Sequence, residues 1–370
     1  MKVIGLLSCG RSGADLFQSL LDSHEEILQF PGYLIFDSKL FNILSITNKG
    51  EIAENFCEEY PQFFDSRINK VERHHQLGPK KNDYFFVSRK KFIENFKKNG
   101  STKGGKFQTL ISLNKSYYEV TKRPIKKIKI VMLHFHLFFN LVNFQKKFDN
   151  NVRITIVLTL RDILASLSST CYKWSRYKSE ALDAHTLYLN MLSHIKQIFR
   201  LKRINKKIFV IQMEKLHTEN DKVMRDFCKI FNIKFKKSLS QSTYFGKKWW
   251  GDQTSLKYLN GINPKFKNNF YGEYFFKKDI FLIEKKISRL LLFYDYPFRS
   301  NIRTSKMLDL LPYKFEYLIW KNSFKKFKIK QIIKIPFYWL IRILTLFNDN
   351  IYDNFSFPYS IGSGNYKFKK

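Results

Sequence analysis

Three groups of residues in this chain have types and spacings that chemistry could use. The first runs Gly5-Leu-Leu-Ser-Cys-Gly10-Arg11-Ser12 and continues to Gly13, matching the spacing G-x-x-x-x-G-K-[ST] with Arg11 in the lysine's place. Small residues at such positions let backbone N–H groups close around an anion, and a helix starting just beyond adds its positive N-terminal end. Arg11 would add a forked, permanently charged donor suited to phosphate or sulfate. The second group is Arg161-Asp162 with Ser166, Ser168 and Ser169, a basic and hydroxyl cluster at the start of a helix. The third is the pair His134 and His136, either of which could take a proton near neutral pH. Together they describe a site for a ligand with two separated anionic groups, next to a general base.

Such a site needs elements that bring distant stretches together. Lys2 to Leu7 is short and mostly apolar, as an interior parallel strand is. Similar runs follow at Ile27 to Phe30, Ile128 to Leu133, Ile154 to Leu160 and Ile208 to Gln212. Helical patterns separate them, including Ala181 to Arg200 and about Glu219 to Phe231, while 37–122 reads as a helical insertion broken by glycine-rich loops. Alternating strands and helices predict an α/β fold: a mostly parallel central sheet flanked by helices, P-loop-like, with a helical C-terminal extension. The expected division is an α/β domain over 1–300 and a helical, aromatic and basic extension over 301–370. In these sheets ligands lie beyond the carboxyl ends of the strands, and each of the three groups follows a strand, as does Glu214. One of the two histidines is expected to be structural, with the strand end turning them to opposite faces.

Composition narrows the classes. The 66 basic against 31 acidic residues give +35, which admits polyanions and acidic membrane surfaces as partners. The common RNA modules interleave glycine with aromatic residues, and that pattern is missing, so no specific nucleic acid is expected. Four widely spaced cysteines without a C-x-x-C pair argue against zinc and disulfide frameworks, and fit a reducing, cytoplasmic compartment. No metal is expected, and His74-His75 reads as structural. No run approaches the ~20 apolar residues of a membrane span. Ile335 to Phe347 is 13 residues and contains Arg342. The stretch 331–347 reads as a packed helix, with peripheral membrane contact as the alternative.

The first residues, MKVIGLLSC, also look like an export signal ending in a lipid-attachment cysteine. Such a signal needs an apolar run of roughly 7–15 residues, whereas this one is interrupted at Gly5 and ends at Ser8. Beyond Cys9, Leu16, Phe17, Leu20 and Leu21 recur at helical spacing. The segment is therefore expected to be retained and to form the anion loop.

At this level the chain resembles the sulfotransferases that use 3′-phosphoadenosine-5′-phosphosulfate. Gly10-Arg-Ser-Gly13 followed by Leu16-Phe-Gln-Ser-Leu-Leu-Asp-Ser-His24 is similar to that family's 5′-phosphosulfate loop and helix. Leu160-Arg161-Asp162, with Ser169 eight residues past the arginine, is similar to its 3′-phosphate segment. Gln212 to Leu216, Phe227 to Ile233 and Gly246-Lys-Lys-Trp-Trp-Gly-Asp252 resemble the following strand, helix and closing loop. The resemblance implies that Gly10, Arg11, Ser12 and Gly13 hold the 5′-phosphosulfate, Arg11 also stabilising the leaving oxygen. It implies that Arg161 and Ser169 grip the 3′-phosphate, with Lys247 or Lys248 adding to that grip. His136, with His134 second, would take the proton of an acceptor hydroxyl or amine. The acceptor would be a carbohydrate, lipid or small molecule, and the donor needs no metal. Two departures stand out: Ala14 and Asp15 replace common hydroxyl residues, and Ile163 replaces a proline. Asp15 is expected to face away from the anion or to pair with a lysine.

Two other classes fit some of these residues. A triphosphate-using kinase or ATPase would use the same loop with Mg²⁺ held by Ser12 and Asp162. A non-catalytic polyanion-binding protein would need only the charge. In either case Arg161 could simply pair with Asp162 or Glu214, and Trp249-Trp250 could be surface packing.

Overall fold

The computed structural model describes residues 1–8, 10–68, 70, 72–123, 127–136, 138–148, 152–176, 207–252, 258–301, 308, 310–325, 329–346 and 359–362. The expected helix Ala181 to Arg200, and Cys9 of the expected anion loop, lie outside them. A six-stranded, all-parallel sheet forms the centre, built from β1 (Lys2–Ser8), β2 (Ile27–Leu28), β3 (Ile130–Phe135), β4 (Ile154–Leu160), β5 (Ile208–Gln212) and β8 (Tyr359–Ser360). Their order is β2-β3-β1-β4-β5-β8, and every pairing is parallel. A separate antiparallel ribbon pairs β6 (Thr243–Tyr244) with β7 (Lys247–Lys248).

The α/β expectation therefore holds, and the order explains where a ligand can sit. From β1 the chain crosses to β2 and β3 on one side, then to β4 and β5 on the other. The direction reverses at β1, which places the topological switch point at that strand's carboxyl end. Val3 to Ser8 are all buried, as the unbroken apolar run required. β2 stops at Leu28, short of the expected Phe30, and β3 runs from Ile130 to Phe135, so His134 lies within the strand instead of after it. The register pairs Leu6 with His134 and Ser8 with Thr159, aligning the strand ends that carry the candidate residues.

Helices cover both faces. The stretch 37–122 contributes five of them, at Ser38–Ile43, Lys49–Glu59, Pro61–Phe64, Arg89–Asn99 and Gly105–Val120. Their interior is aromatic. Phe30 stacks on Phe63 at 5.2 Å, and Phe56, Phe64, Phe92 and Tyr117 close around them. Phe36 joins this layer to the sheet through Phe135, 4.8 Å away. The C-terminal part forms helices at Lys314–Lys325 and Ile329–Leu346, then returns β8 to the edge beside β5. The extension is thus helical and also completes the sheet.

Gly5 in the middle of β1 is required by crowding. A Cβ there would lie 2.8 Å from Ile154 Cδ1 and 3.0 Å from the Phe135 ring. Gly5→Val is accordingly expected to lower unfolding stability by about 1–3 kcal/mol, with Gly5→Ala less affected, as measured by urea denaturation.

Candidate functional site

The turn after β1 is left-handed at three residues: Gly10 (φ 61°), Arg11 (φ 51°) and Gly13 (φ 84°). Gly13 suits both its dihedral and its neighbourhood, since a Cβ there would lie 3.1 Å from Met213 Cγ. The helix Ala14–Leu21 begins immediately after it. Two hydroxyls tie the turn to the β4 side. Ser12 Oγ bonds Thr159 Oγ1 at 2.8 Å, and Ser166 Oγ donates to the Gly10 carbonyl at 2.9 Å. The Gly10 N–H donates to Ser8 Oγ. Ser12 is buried, so its side chain braces the turn.

Charges of both signs meet at this turn. The Arg11 guanidinium lies 3.7 Å from the Asp252 carboxylate. Asp15 neither faces away nor pairs with a lysine: it turns inward, its carboxylate 3.8 Å from His134 Nδ1. Carboxylate oxygens of Asp15, Glu72 and Asp252 lie within 4.8 Å of one another, the one group among the described residues that could ligate a cation. Burial pushes the Asp15 pKa up and Asp252 adds to that, while His136 and Arg11 pull it down. Asp15 therefore takes a proton more readily than an ordinary aspartate.

The two histidines lie on the same side of β3, their ring centroids 5.9 Å apart. The expectation of opposite faces fails because residues two apart on a strand point the same way. Depth separates them instead. His134 is buried, and its Nδ1 lies 2.8 Å from Gln18 Oε1. The Gln18 amide nitrogen donates to the carbonyls of Phe30 and Gly32, which leaves Oε1 as acceptor and puts the hydrogen on Nδ1. Burial, with His136 beside it, holds the His134 pKa well below the usual histidine value. His136 is exposed and stacks on Tyr33 at 4.7 Å. Of the two, it is the ring an incoming molecule can reach.

Arg161 is buried next to the turn, close enough for Arg11 to disfavour its charge. Its Nε donates to Asn268 Oδ1 at 2.9 Å, and the Asn268 amide donates in turn to Glu214. Glu214 also accepts from the Asp162 N–H and the Tyr296 hydroxyl. Asp162 pairs with Arg299 at 2.6 Å. Arg161 is thus positioned through an amide, and the simple pairing with Asp162 or Glu214 is not what forms. Ser169 is half-buried on the helix Ile163–Arg176. Ser168 is engaged with Ala165 and Tyr271, and Tyr271 stacks on Tyr172 at 4.0 Å.

Lys247 and Lys248 are directed elsewhere. Lys247 Nζ donates to the Tyr84 carbonyl, and Lys248 Nζ lies 3.9 Å from the Trp250 ring centre. Both line a cavity of about 600 Å³ with Gly78, Pro79, Asp83 and Ser242. From that same loop it is Asp252 that meets Arg11. The tryptophans pack: Trp249 Nε1 donates to the Glu72 carbonyl and Trp250 Nε1 to the Gly78 carbonyl. His74 is buried against Tyr244, with no hydrogen-bond partner on either ring nitrogen. Glu72, Tyr33, Gln18, Asn268 and Arg299 escaped notice in the sequence. Single polar residues in loops and helices carry no periodic or motif signal. Only Gln18 lay inside a stretch singled out there.

No protein-family model matches the chain, and no curated protein does. Among solved structures it is similar to the sulfotransferase domain from the Synechococcus PCC 7002 olefin synthase, with 14% identity and a TM-score of 0.37 over 65% of this chain and 77% of that one. It is similar to the sulfotransferase domain from the curacin biosynthetic pathway, with 13% identity and a TM-score of 0.39 over 73% and 88%. It is also similar to sulfotransferase STF9 from Mycobacterium avium, with 12% identity and a TM-score of 0.35 over 64% and 65%. Likenesses at this level carry no weight alone, and the site residues must decide the chemistry.

Burial of neutral histidines links stability to pH. Burial drives the pKa of His74 down to about 3 and that of His217 to about 4. The unfolded chain takes up these protons below about 6.5, so the stability these histidines confer is complete above that pH and falls as the pH drops. His74→Phe should therefore lose about 2–3 kcal/mol less than the wild type between pH 7 and pH 4.5. Denaturant titrations at the two pH values measure the difference.

Proposed function

We propose that this chain is a sulfotransferase that moves a sulfuryl group from 3′-phosphoadenosine-5′-phosphosulfate to a hydroxyl or amine of a carbohydrate, lipid or small-molecule acceptor. The observation that carries this reading is the convergence of two arginines and one open histidine on the switch point. Arg11 lies in the turn after β1, Arg161 follows β4, and His136 follows β3. The donor supplies a sulfur–oxygen bond to a phosphate, and the chain's residues bind, orient and move a proton. The N–H groups of Ser12 and Gly13, with Arg11, hold the 5′ end and stabilise charge on the leaving oxygen. Arg161, braced through Asn268, and Ser169 hold the 3′-phosphate. His136 accepts the acceptor's proton as the acceptor oxygen or nitrogen bonds to sulfur and the sulfur–oxygen bond to the donor's 5′-phosphate breaks. Asp15 stands where a hydroxyl is common in the resembled family. Burial favours its neutral form, which offers an O–H donor and so reduces its conflict with an anion.

A second reading has one observation in its favour. The carboxylates of Asp15, Glu72 and Asp252 could hold a divalent cation, as a triphosphate-using enzyme requires. Calorimetric titration with 3′-phosphoadenosine-5′-phosphate, against ADP with Mg²⁺, separates the two. Selective binding of the first ligand, weakened about 10- to 100-fold in Arg11→Ala and in Arg161→Ala, is expected. Preference for ADP with Mg²⁺ would favour the second reading, and binding of neither would leave a basic polyanion binder. With labelled donor and a panel of acceptors, His136→Ala should lower turnover about 10²–10⁴-fold while leaving nucleotide affinity unchanged.

A further inference from the structure

The helix Ile329–Leu346 leaves one of its faces without cover. Ile329, Ile333, Phe337, Leu340 and Leu344 are 67%, 71%, 61%, 47% and 69% exposed. At 3.6 residues per turn these five fall within an arc of about 80°. The buried residues Ile335, Tyr338 and Arg342 centre on the opposite side. There Arg342 Nε donates to Glu316 of the helix Lys314–Lys325 at 2.8 Å, both side chains fully buried. The helix is therefore packed, as expected, yet apolar on its outer face as well. Leu310 and Leu311, whose carbonyls accept from Trp339 and Arg342, add two more exposed side chains beside it. An apolar surface of this kind marks an interaction site.

Charge identifies the occupant. The two helices expose Lys321, Lys325, Lys330 and Lys334, and their one carboxylate, Glu316, is buried against Arg342. Lys330 and Lys334 lie to one flank of the apolar arc. No helix among the described residues is long and apolar enough to cross a membrane. We infer that this helix lies in the interface of an anionic lipid bilayer, its five apolar side chains entering the acyl boundary and its lysines meeting lipid phosphates. A second copy is the poorer occupant. A two-fold pairing would set the same lysines against one another, with no exposed carboxylate on either helix to offset them. The inference is independent of the donor reading.

Flotation of the full chain with vesicles tests it, comparing phosphatidylcholine alone with phosphatidylcholine containing phosphatidylglycerol. The protein should float with the anionic vesicles. The Ile333→Ser, Phe337→Ser double variant should partition at least about tenfold less, because it removes apolar area from the acyl boundary. A Lys330→Glu, Lys334→Glu variant should lose affinity for anionic vesicles selectively. All four side chains are exposed, and far-UV circular dichroism checks that each variant stays folded. A Leu340→Ser, Leu344→Ser pair repeats the test along the same face. The idea is overturned if the wild type stays with the unbound fraction, or if both serine variants float as well as the wild type. It is equally overturned if light scattering finds a dimer that the serine substitutions dissolve.

Discussion

Everything proposed at the switch point depends on the shape of one turn, in which Gly10, Arg11 and Gly13 all adopt left-handed backbone angles. For a residue with a Cβ that region is uncommon, and Arg11 enters it only because its surroundings hold it there. The end of β4 supplies part of that hold. Thr159 and Ser166, before and after the end of β4, bond Ser12 and Gly10. The same strand delivers Arg161 just beyond Leu160. The β4 side thus both braces the turn and delivers the second arginine. A ligand with two anionic groups would meet a preformed spacing instead of assembling it.

The mouth of that turn is also where like and unlike charges are most crowded. Two arginines near each other are unfavourable until something negative joins them. Asp252 partly fills that role for Arg11, at a separation that is an ion pair without being a tight one. Asp15 and Glu72 in turn crowd Asp252, and burial raises the Asp15 pKa. The arrangement is balanced by its own carboxylates, and an incoming anion would have to displace Asp252 from Arg11. His134 belongs to this economy as a neutral group. Its hydrogen is directed to Gln18, and burial keeps it uncharged beside Asp15.

The frame was largely legible in the residues, and the orientations were not. Continuous apolar runs at Lys2 to Leu7, Ile154 to Leu160 and Ile208 to Gln212 match β1, β4 and β5 closely, because a parallel strand buried on both faces leaves a strong pattern. β3 was displaced by two residues, since Ile128 and Ile130 are equally strand-like and only pairing with β1 fixes the end. That shift moved His134 from a loop into the core. The positions of Arg11 and Arg161 followed from motif spacing. What faces them did not, because Asn268 and Asp252 arrive from segments more than 100 residues away in the chain. Lys247 and Lys248 show the same limit from the other side. Their place beside a glycine and a tryptophan pair looked like a phosphate grip, yet a two-residue ribbon turns them toward Tyr84 and Trp250.

The surroundings of His136 are shaped by parts outside the sheet. Tyr33 and Glu72 come from the segment that includes the helical insertion, and Asp252 from the chain beyond the β6–β7 ribbon. These parts are joined firmly. The Gly78 N–H donates to the Lys248 carbonyl at 2.9 Å, Phe85 stacks on Phe245 at 4.2 Å, and both Trp249 and Trp250 bond to carbonyls in 72–78. Asp22, at the end of the first helix, accepts from the Gly246 N–H and from Arg123, and so fastens the ribbon to the sheet's own helix. A wall cross-linked in this way is not a loose flap over His136. Any molecule reaching the histidine would then be selected by the fixed outline of Tyr33, Glu72 and Asp252, two of them carboxylates. On the proposed reading, a neutral or cationic portion beside the acceptor hydroxyl or amine suits that outline better than an anionic one does, which weighs against a heavily sulfated or phosphorylated acceptor despite the chain's overall positive charge.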